Sequence, residues 1–225
     1  MTISTNDLLN SIMQSFDRIE HVDAKDIPNI DLYMDQVTTF MDGHMRATTR
    51  NPEEDKILTK TMINNYAKNN LLPPPVKKKY SKEHVLVLIF IYYFKGILSI
   101  SDIQELLNPL TEQFFGKDSS VKLEDIYTEV FSLEKDRVEI LKKDVKQMYE
   151  KAEETFQDTK GENQKFLQRF AFICMLSYDV YVKKLLIEKM IDEMKKERME
   201  AEQPAKTKVE SKKETAKKEA AKKEK

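Results

Sequence analysis

The chain has no tryptophan, one cysteine, four glycines and seven prolines in 225 residues. A single thiol forms neither an intrachain disulfide nor a thiolate cage for zinc, so disulfide scaffolds and cysteine-ligated metal domains are excluded. A reducing cytoplasm is the expected setting. Cys174 lies within an apolar run and reads as a small buried hydrophobe. No glycine-rich phosphate loop and no nucleophile elbow are present. Long hydrophobic runs are missing as well: the longest, from Val85 to Phe94, falls well short of the ~20 residues of a membrane-crossing helix. The Met1 end has neither the basic lead nor the apolar stretch of a secretory signal. His21, His44 and His84 are far apart and read as surface or boundary residues. Asp17, Glu20, Asp23, Asp26, Asp31 and Asp35 read as a solvated acidic face rather than a metal or acid–base cluster. No catalytic residue, metal or cofactor is expected, and nothing points to an enzyme.

What the chain does have is charge, 34% of its residues, arranged in blocks. Residues 1–45 carry two positive and eight negative charges, and residues 46–95 ten positive and four negative. Residues 96–203 carry 17 positive and 23 negative, and residues 204–225 nine lysines against four glutamates. The overall −1 hides this alternation, and such blocks speak about partners rather than fold.

Hydrophobic periodicity gives a helical chain. Leu8, Leu9, Ile12, Phe16 and Ile19 form a short amphipathic stretch. A helix beginning near Pro28, with Asn29 or Asp31 as its start signal, presents Leu32, Val37, Phe40 and Met41. Gly43 weakens its last turn, and a polar loop follows from Arg46 to Lys56. Thr59 caps a short helix that turns Ile63 and Tyr66 inward and Lys60, Asn64 and Lys68 outward. Asn70 fits the left-handed residue just past a helix end, and Pro73, Pro74 and Pro75 forbid continuation. Ser81 opens a helix apolar on every side from Val85 to Phe94, the buried centre of the fold. A helix capped by Ser99 or Ser101 ends near Pro109, and residues 111–120 read as a break. Val138, Leu141, Val145, Met148 and Ala152 step as a short coiled-coil seam. After Gly161 a last helix runs from about 163 to 201, with Phe166 to Val182 read as core and Leu186, Met190, Ile191 and Met194 as a stripe. From Pro204 the Lys/Glu/Ala tail reads as either disordered or solvated and partly helical.

Beside an ordinary helical bundle with solvated polar residues, the order helix, loop, short polar helix, Pro/Lys loop, buried helix allows a helix-turn-helix flanked by a basic loop. In this reading Lys60, Thr61, Asn64, Asn65 and Lys68 face the major groove, where Asn pairs well with adenine. Lys77, Lys78, Lys79 and Tyr80 hold phosphates. A polyproline ligand in "LLPPPVK" is disfavoured because it lacks PxxP spacing and is hemmed in by helices.

The stretch "MINNYAKNNLLPPP…KKKYSKEHVLVLIFIYYFKGILSISDIQELL" resembles the DNA-binding domain of MerR-type regulators. The resemblance rests on Ile63, Tyr66, Leu71, Leu72, Pro73 and Pro74, then Tyr80, Ser81, Leu88, Gly96, Ser99 and Ile103. Residues 27–200 also resemble a bacterial family of unknown function related to MerR-type domains. There are departures: Asn64 stands where those regulators carry a DNA-contacting Arg, Asn70 replaces a Gly, the wing is short, and the connection Arg46–Lys56 is long. Effector-side cysteines have no counterparts, so thiolate metal sensing is excluded.

The expectation is an all-α chain in four parts. These are an amphipathic arm (1–26), a MerR-like winged helix-turn-helix domain (27–110), a helical dimerisation or effector region (111–203), and a disordered charged tail (204–225). The expected function is a DNA-binding regulator, homodimeric through residues 120–200, with double-stranded DNA as partner and an unknown effector. The alternative is a helical protein-interaction module on the same scaffold that no longer binds DNA.

Overall fold

The computed structural model describes residues 5–16, 21–133 and 135–223, with side chains described no further than Ala201. The chain is mostly helical, and the chain divides into two units, Met1–Tyr181 and Val182–Lys225. The first helix, α1, spans Thr5–Phe16 and buries Leu9 against Val145 and Tyr149. Ile19, read as part of the same stretch, lies outside the described residues, as do Asp17 and Glu20.

Residues 21–31 are irregular but anchored, with Val22, Ala24 and Ile27 buried and the Tyr127 hydroxyl donating to the Val22 carbonyl at 2.6 Å. The helix expected from Pro28 starts later. Leu32–Tyr33 form a strand, β1, and α2 spans Met34–Met45, its first turn closed by the Tyr33 amide donating to Gln36 Oε1 at 2.8 Å. The start is displaced because residues 32 and 33 are taken by sheet pairing. β1 pairs antiparallel with β2 (Lys79–Tyr80), with Leu32 opposite Tyr80 and Tyr33 opposite Lys79. Val37, Met41 and Met45, one per turn, form the buried stripe of α2.

A 3₁₀ turn, Arg46–Thr48, opens the long connection. The Arg46 guanidinium grips Asp42 with two nitrogens and donates to the Pro52 carbonyl, while Lys95 Nζ donates to the Ile57 carbonyl at 2.7 Å. Ile57 and Leu58 are buried, so this loop is packed down at both ends. The short helix α3 spans Lys60–Lys68.

Helix α4 spans Lys82–Phe94 and is buried without interruption from His84 to Ile91. Unbroken burial requires cover on all sides, and α5 (Ile100–Phe114), α6 (Leu123–Ser132) and β2 all pack on it. Phe90 meets Tyr127 and Phe131, each at 5.5 Å between ring centroids. Ser99 caps α5 by a reciprocal pair, its Oγ accepting from the Asp102 amide and its amide donating to Asp102 Oδ2. The expected end near Pro109 is corrected: α5 passes through Pro109 to Phe114, and the Thr111 hydroxyl takes up the Leu107 and Asn108 carbonyls.

Helix α7 spans Lys135–Glu153 and α8 spans Glu162–Lys223. Of the expected seam on α7, Val145 and Ala152 are buried but Leu141 is 41% exposed. Tyr149, one residue beyond Met148, takes the inward position instead. Two further expectations on α8 fail. The stretch from Phe166 to Val182 is not core: Phe166, Phe170, Ile173, Tyr178, Val180, Tyr181 and Val182 are all exposed. Cys174 is exposed too. The stretch is apolar around much of its circumference, whereas the cluster containing Phe172 and Leu176 covers only one side. The backbone of the Lys/Glu/Ala segment continues α8 to Lys223, as befits strong helix formers. Among the described residues no helix is long and apolar enough to cross a membrane.

Candidate nucleic-acid interface

The surface singled out by the basic block is built from α3 and the hairpin that follows it. Thr59 starts α3, its hydroxyl accepting from the Met62 amide at 3.2 Å. Ile63 and Tyr66 are buried, leaving Lys60, Thr61, Asn64, Asn65 and Lys68 exposed along the opposite side. The helix ends in a Schellman motif: the Leu71 amide donates to the Tyr66 carbonyl at 2.8 Å and the Asn70 amide to Ala67 at 3.3 Å. Asn70 has φ 56°, the left-handed conformation expected of it. Leu71 and Leu72 then drive into the core, fixing where the proline segment leaves.

Val76 and Lys79 exchange both backbone hydrogen bonds, at 3.1 and 2.9 Å, around the two-residue turn Lys77–Lys78. Both turn residues have positive φ, 51° and 64°, which defines a type I′ turn. That turn favours Asn-Gly; here two lysines occupy it, both exposed. Strain of order 1 kcal/mol or more per residue accompanies side chains larger than Gly or Asn in this region.

The expected contact residues fare differently. Lys68, Lys77 and Lys78 form no ion pair among the described residues. Lys60 is paired with Asp35 across the surface. Lys79 is half-buried, its ammonium 5.2 Å from the centre of the Tyr33 ring. Tyr80 is 2% exposed, its ring set edge-on to His84, so its expected place on a phosphate is corrected: alternation along β2 turns it inward while Lys79 turns out. Burial also pushes the Tyr80 phenol up from its ordinary value. Of the ten cations in residues 46–95, Arg46, Lys60, Lys82 and Lys95 are engaged within the fold. Lys82 reaches Glu124 at 2.8 Å.

Two residues near the hairpin escape a sequence reading. Tyr33 is 55% exposed beside the lysine turn, placed there by a two-residue strand too short to leave a period in the sequence. His84, read as a surface or boundary residue, is 3% exposed. The Ser81 amide donates to its Nδ1 at 2.9 Å, and its Nε2 faces the Pro74 carbonyl at 3.4 Å. The ring therefore ties the proline segment to the start of α4. Burial lowers its pKa, against the opposing pull of the Pro74 and Pro73 carbonyls and of Asp31. The spacing Ser81-x-x-His84 is a capping-box spacing, the one sequence signal for this role.

Elsewhere, an open groove is lined by Thr48, Thr49, Asp55, Lys56, Tyr92 and Lys95. Its most buried cation, Lys95, is held by the Ile57 carbonyl and stands 4.6 Å from the Tyr92 ring centre, which accounts for the residue structurally. No group of three or more His, Cys, Asp or Glu able to hold a metal occurs among the described residues.

Residues 22–130 match the model of a family described as "Domain of unknown function (DUF1836)", to which this part of the chain is similar. No curated protein and no solved structure matches the chain. The kinship with MerR-type regulators expected from the sequence is thereby corrected: the matching model is of a domain of unknown function, and no MerR-type model matches. The residues that suggested it have local duties in the fold. Ile63 and Tyr66 seat α3, Asn70 ends it, Leu71 and Leu72 anchor the exit, and Ser81 opens α4.

Proposed function

We propose that the region spanning residues 22–130 binds duplex nucleic acid, with the exposed side of α3 entering a groove and the Lys77–Lys78 turn on the phosphate backbone. The reading takes this as a helix-turn-helix with a short β-hairpin wing. The observation that carries it is the type I′ turn. Stability alone favours Asn-Gly there, yet two exposed, unpaired lysines hold it at positive φ. Strained residues of this kind gather where a binding surface needs them. A strained, short turn projects charge with little loss of freedom on contact, which suits a phosphate clamp. Asn64 and Asn65, exposed on α3, are suited to base edges, and Lys68 to a phosphate.

The test is a pair of double variants titrated against random and genomic duplex. Lys77→Ala/Lys78→Ala is expected to weaken all duplexes alike, and Asn64→Ala/Asn65→Ala to flatten differences between sequences. Wild-type chain that binds no duplex at low salt, yet holds a protein partner, selects the interaction-module reading instead.

A further inference from the structure

Helix α8 has one covered side and one bare side over residues 162–181. Phe172 and Leu176 pack on the cluster of Leu9, Val145 and Tyr149, and the Tyr149 and Phe172 rings meet edge-on at 5.4 Å. The opposite side carries Phe166, Phe170, Ile173, Val180 and Tyr181, exposed by 66, 54, 53, 61 and 62%. Phe166, Ile173 and Val180 recur at a strict seven-residue step, with Phe170 between the first two at the four-three spacing of a seam. A helix of 3.6 residues per turn that keeps a seven-residue stripe is shaped for another helix with the same stripe, wound left-handed about it.

We infer that this face is the interface between two copies of the chain, paired through α8 as a two-stranded coiled coil. Area supports it: at ~150–250 Å² for each large side chain, the exposed parts of these five residues come to roughly 550 Å². That is near the ~600 Å² per partner at the low end of specific interfaces. Charge supports it as well. The seam positions Phe166, Phe170, Ile173, Ser177, Val180 and Tyr181 include no ionisable side chain that is charged at neutral pH, so two identical faces meet without like-charge repulsion. An isologous pair needs only one self-complementary patch, which one helix stripe supplies. A continuous apolar patch of this size is otherwise uncommon on a lone subunit. The inference is independent of nucleic-acid binding, since it rests on α8 alone.

Sedimentation equilibrium of the full chain tests it. The wild type is expected at twice the 26.5 kDa chain mass at micromolar concentration, and Phe170→Glu/Ile173→Glu at the single-chain mass with unchanged helical circular dichroism. A second readout does not depend on that variant folding. A nitroxide on Cys174, the sole cysteine, can only couple to a label on another chain, so dipolar coupling is expected in the wild type and lost on dilution with unlabelled chain. A monomeric wild type, a dimer that survives in a folded double variant, or absent coupling at Cys174 overturns the inference. So does a face that instead binds lipid vesicles while the chain stays monomeric.

Discussion

The backbone amide of Ser81 donates to Nδ1 of His84 at 2.9 Å, and this one contact fixes the imidazole as the neutral tautomer with its proton on Nε2. Nε2 in turn faces the Pro74 carbonyl. A buried ring that accepts from one neighbour and donates to another joins the proline segment, the hairpin and the first turn of α4 at a single point. Phe115 closes the other side, its ring centroid 4.7 Å away.

Acid should loosen that joint. The folded pKa of His84 lies below its ordinary value because burial disfavours the charged ring. Below about pH 6.5 the unfolded chain therefore binds more protons than the folded one, and stability falls as pH falls through that value toward the folded pKa. Above it the penalty is absent. Urea midpoints between about pH 5 and 8 are expected to slope downward on the acid side in the wild type. His84→Gln, which keeps an acceptor for the Ser81 amide, should flatten that slope; an unchanged slope would place the titration elsewhere.

Asn70 and the lysine turn can be probed through backbone strain. Asn70→Ala is expected to cost about 1 kcal/mol in denaturant unfolding, and Asn70→Gly to be neutral or slightly stabilising. Equal effects of Ala and Gly would mean that the left-handed conformation is not what the site requires.

Stability and binding should part company at the turn. Lys77→Asn/Lys78→Gly supplies the residues a type I′ turn prefers and is expected to raise stability by up to about 1 kcal/mol. The same change removes both tip charges and is expected to weaken duplex affinity. A variant both more stable and equally tight would separate the strain from function.

The Lys60–Asp35 pair sets a smaller effect. Both side chains are well exposed, 61 and 73%, so breaking the pair should change stability by less than ~1 kcal/mol. Asp35→Asn should nonetheless tighten duplex binding several-fold, since it removes a negative charge and frees Lys60. Fluorescence anisotropy at low salt reads this directly, and weaker binding would argue that α3 does not face the duplex.

Much of α3 and α4 was legible in the sequence because their signals are local. Thr59, Ile63, Tyr66, Asn70 and Ser81 each declare themselves through capping or period, and the structure puts each where its chemistry asks. The two-residue strands were not legible, since their partners are some 46 residues apart and neither shows a period. Their pairing displaced the start of α2 and turned Tyr80 inward. Pro109 misled because one missing donor did not stop a helix already supported on both sides. Phe166, Ile173 and Val180 misled in another way. Hydrophobicity marks what wants to be covered, not whether the same chain covers it. The charge blocks were visible, but Asp35, Asp42 and Glu124 engage cations of the basic block, which trims it to a narrower set. Within the expected contact surface that set is Lys68, Lys77 and Lys78.

The salt dependence of duplex affinity tests the proposed phosphate contact most directly. Each phosphate neutralised adds about 0.9 to the slope of log affinity against log salt, so Lys77→Ala/Lys78→Ala should lower the magnitude of the wild-type slope by about 1.8. A slope identical in variant and wild type, with affinity unchanged, would contradict a phosphate contact at the Lys77–Lys78 turn.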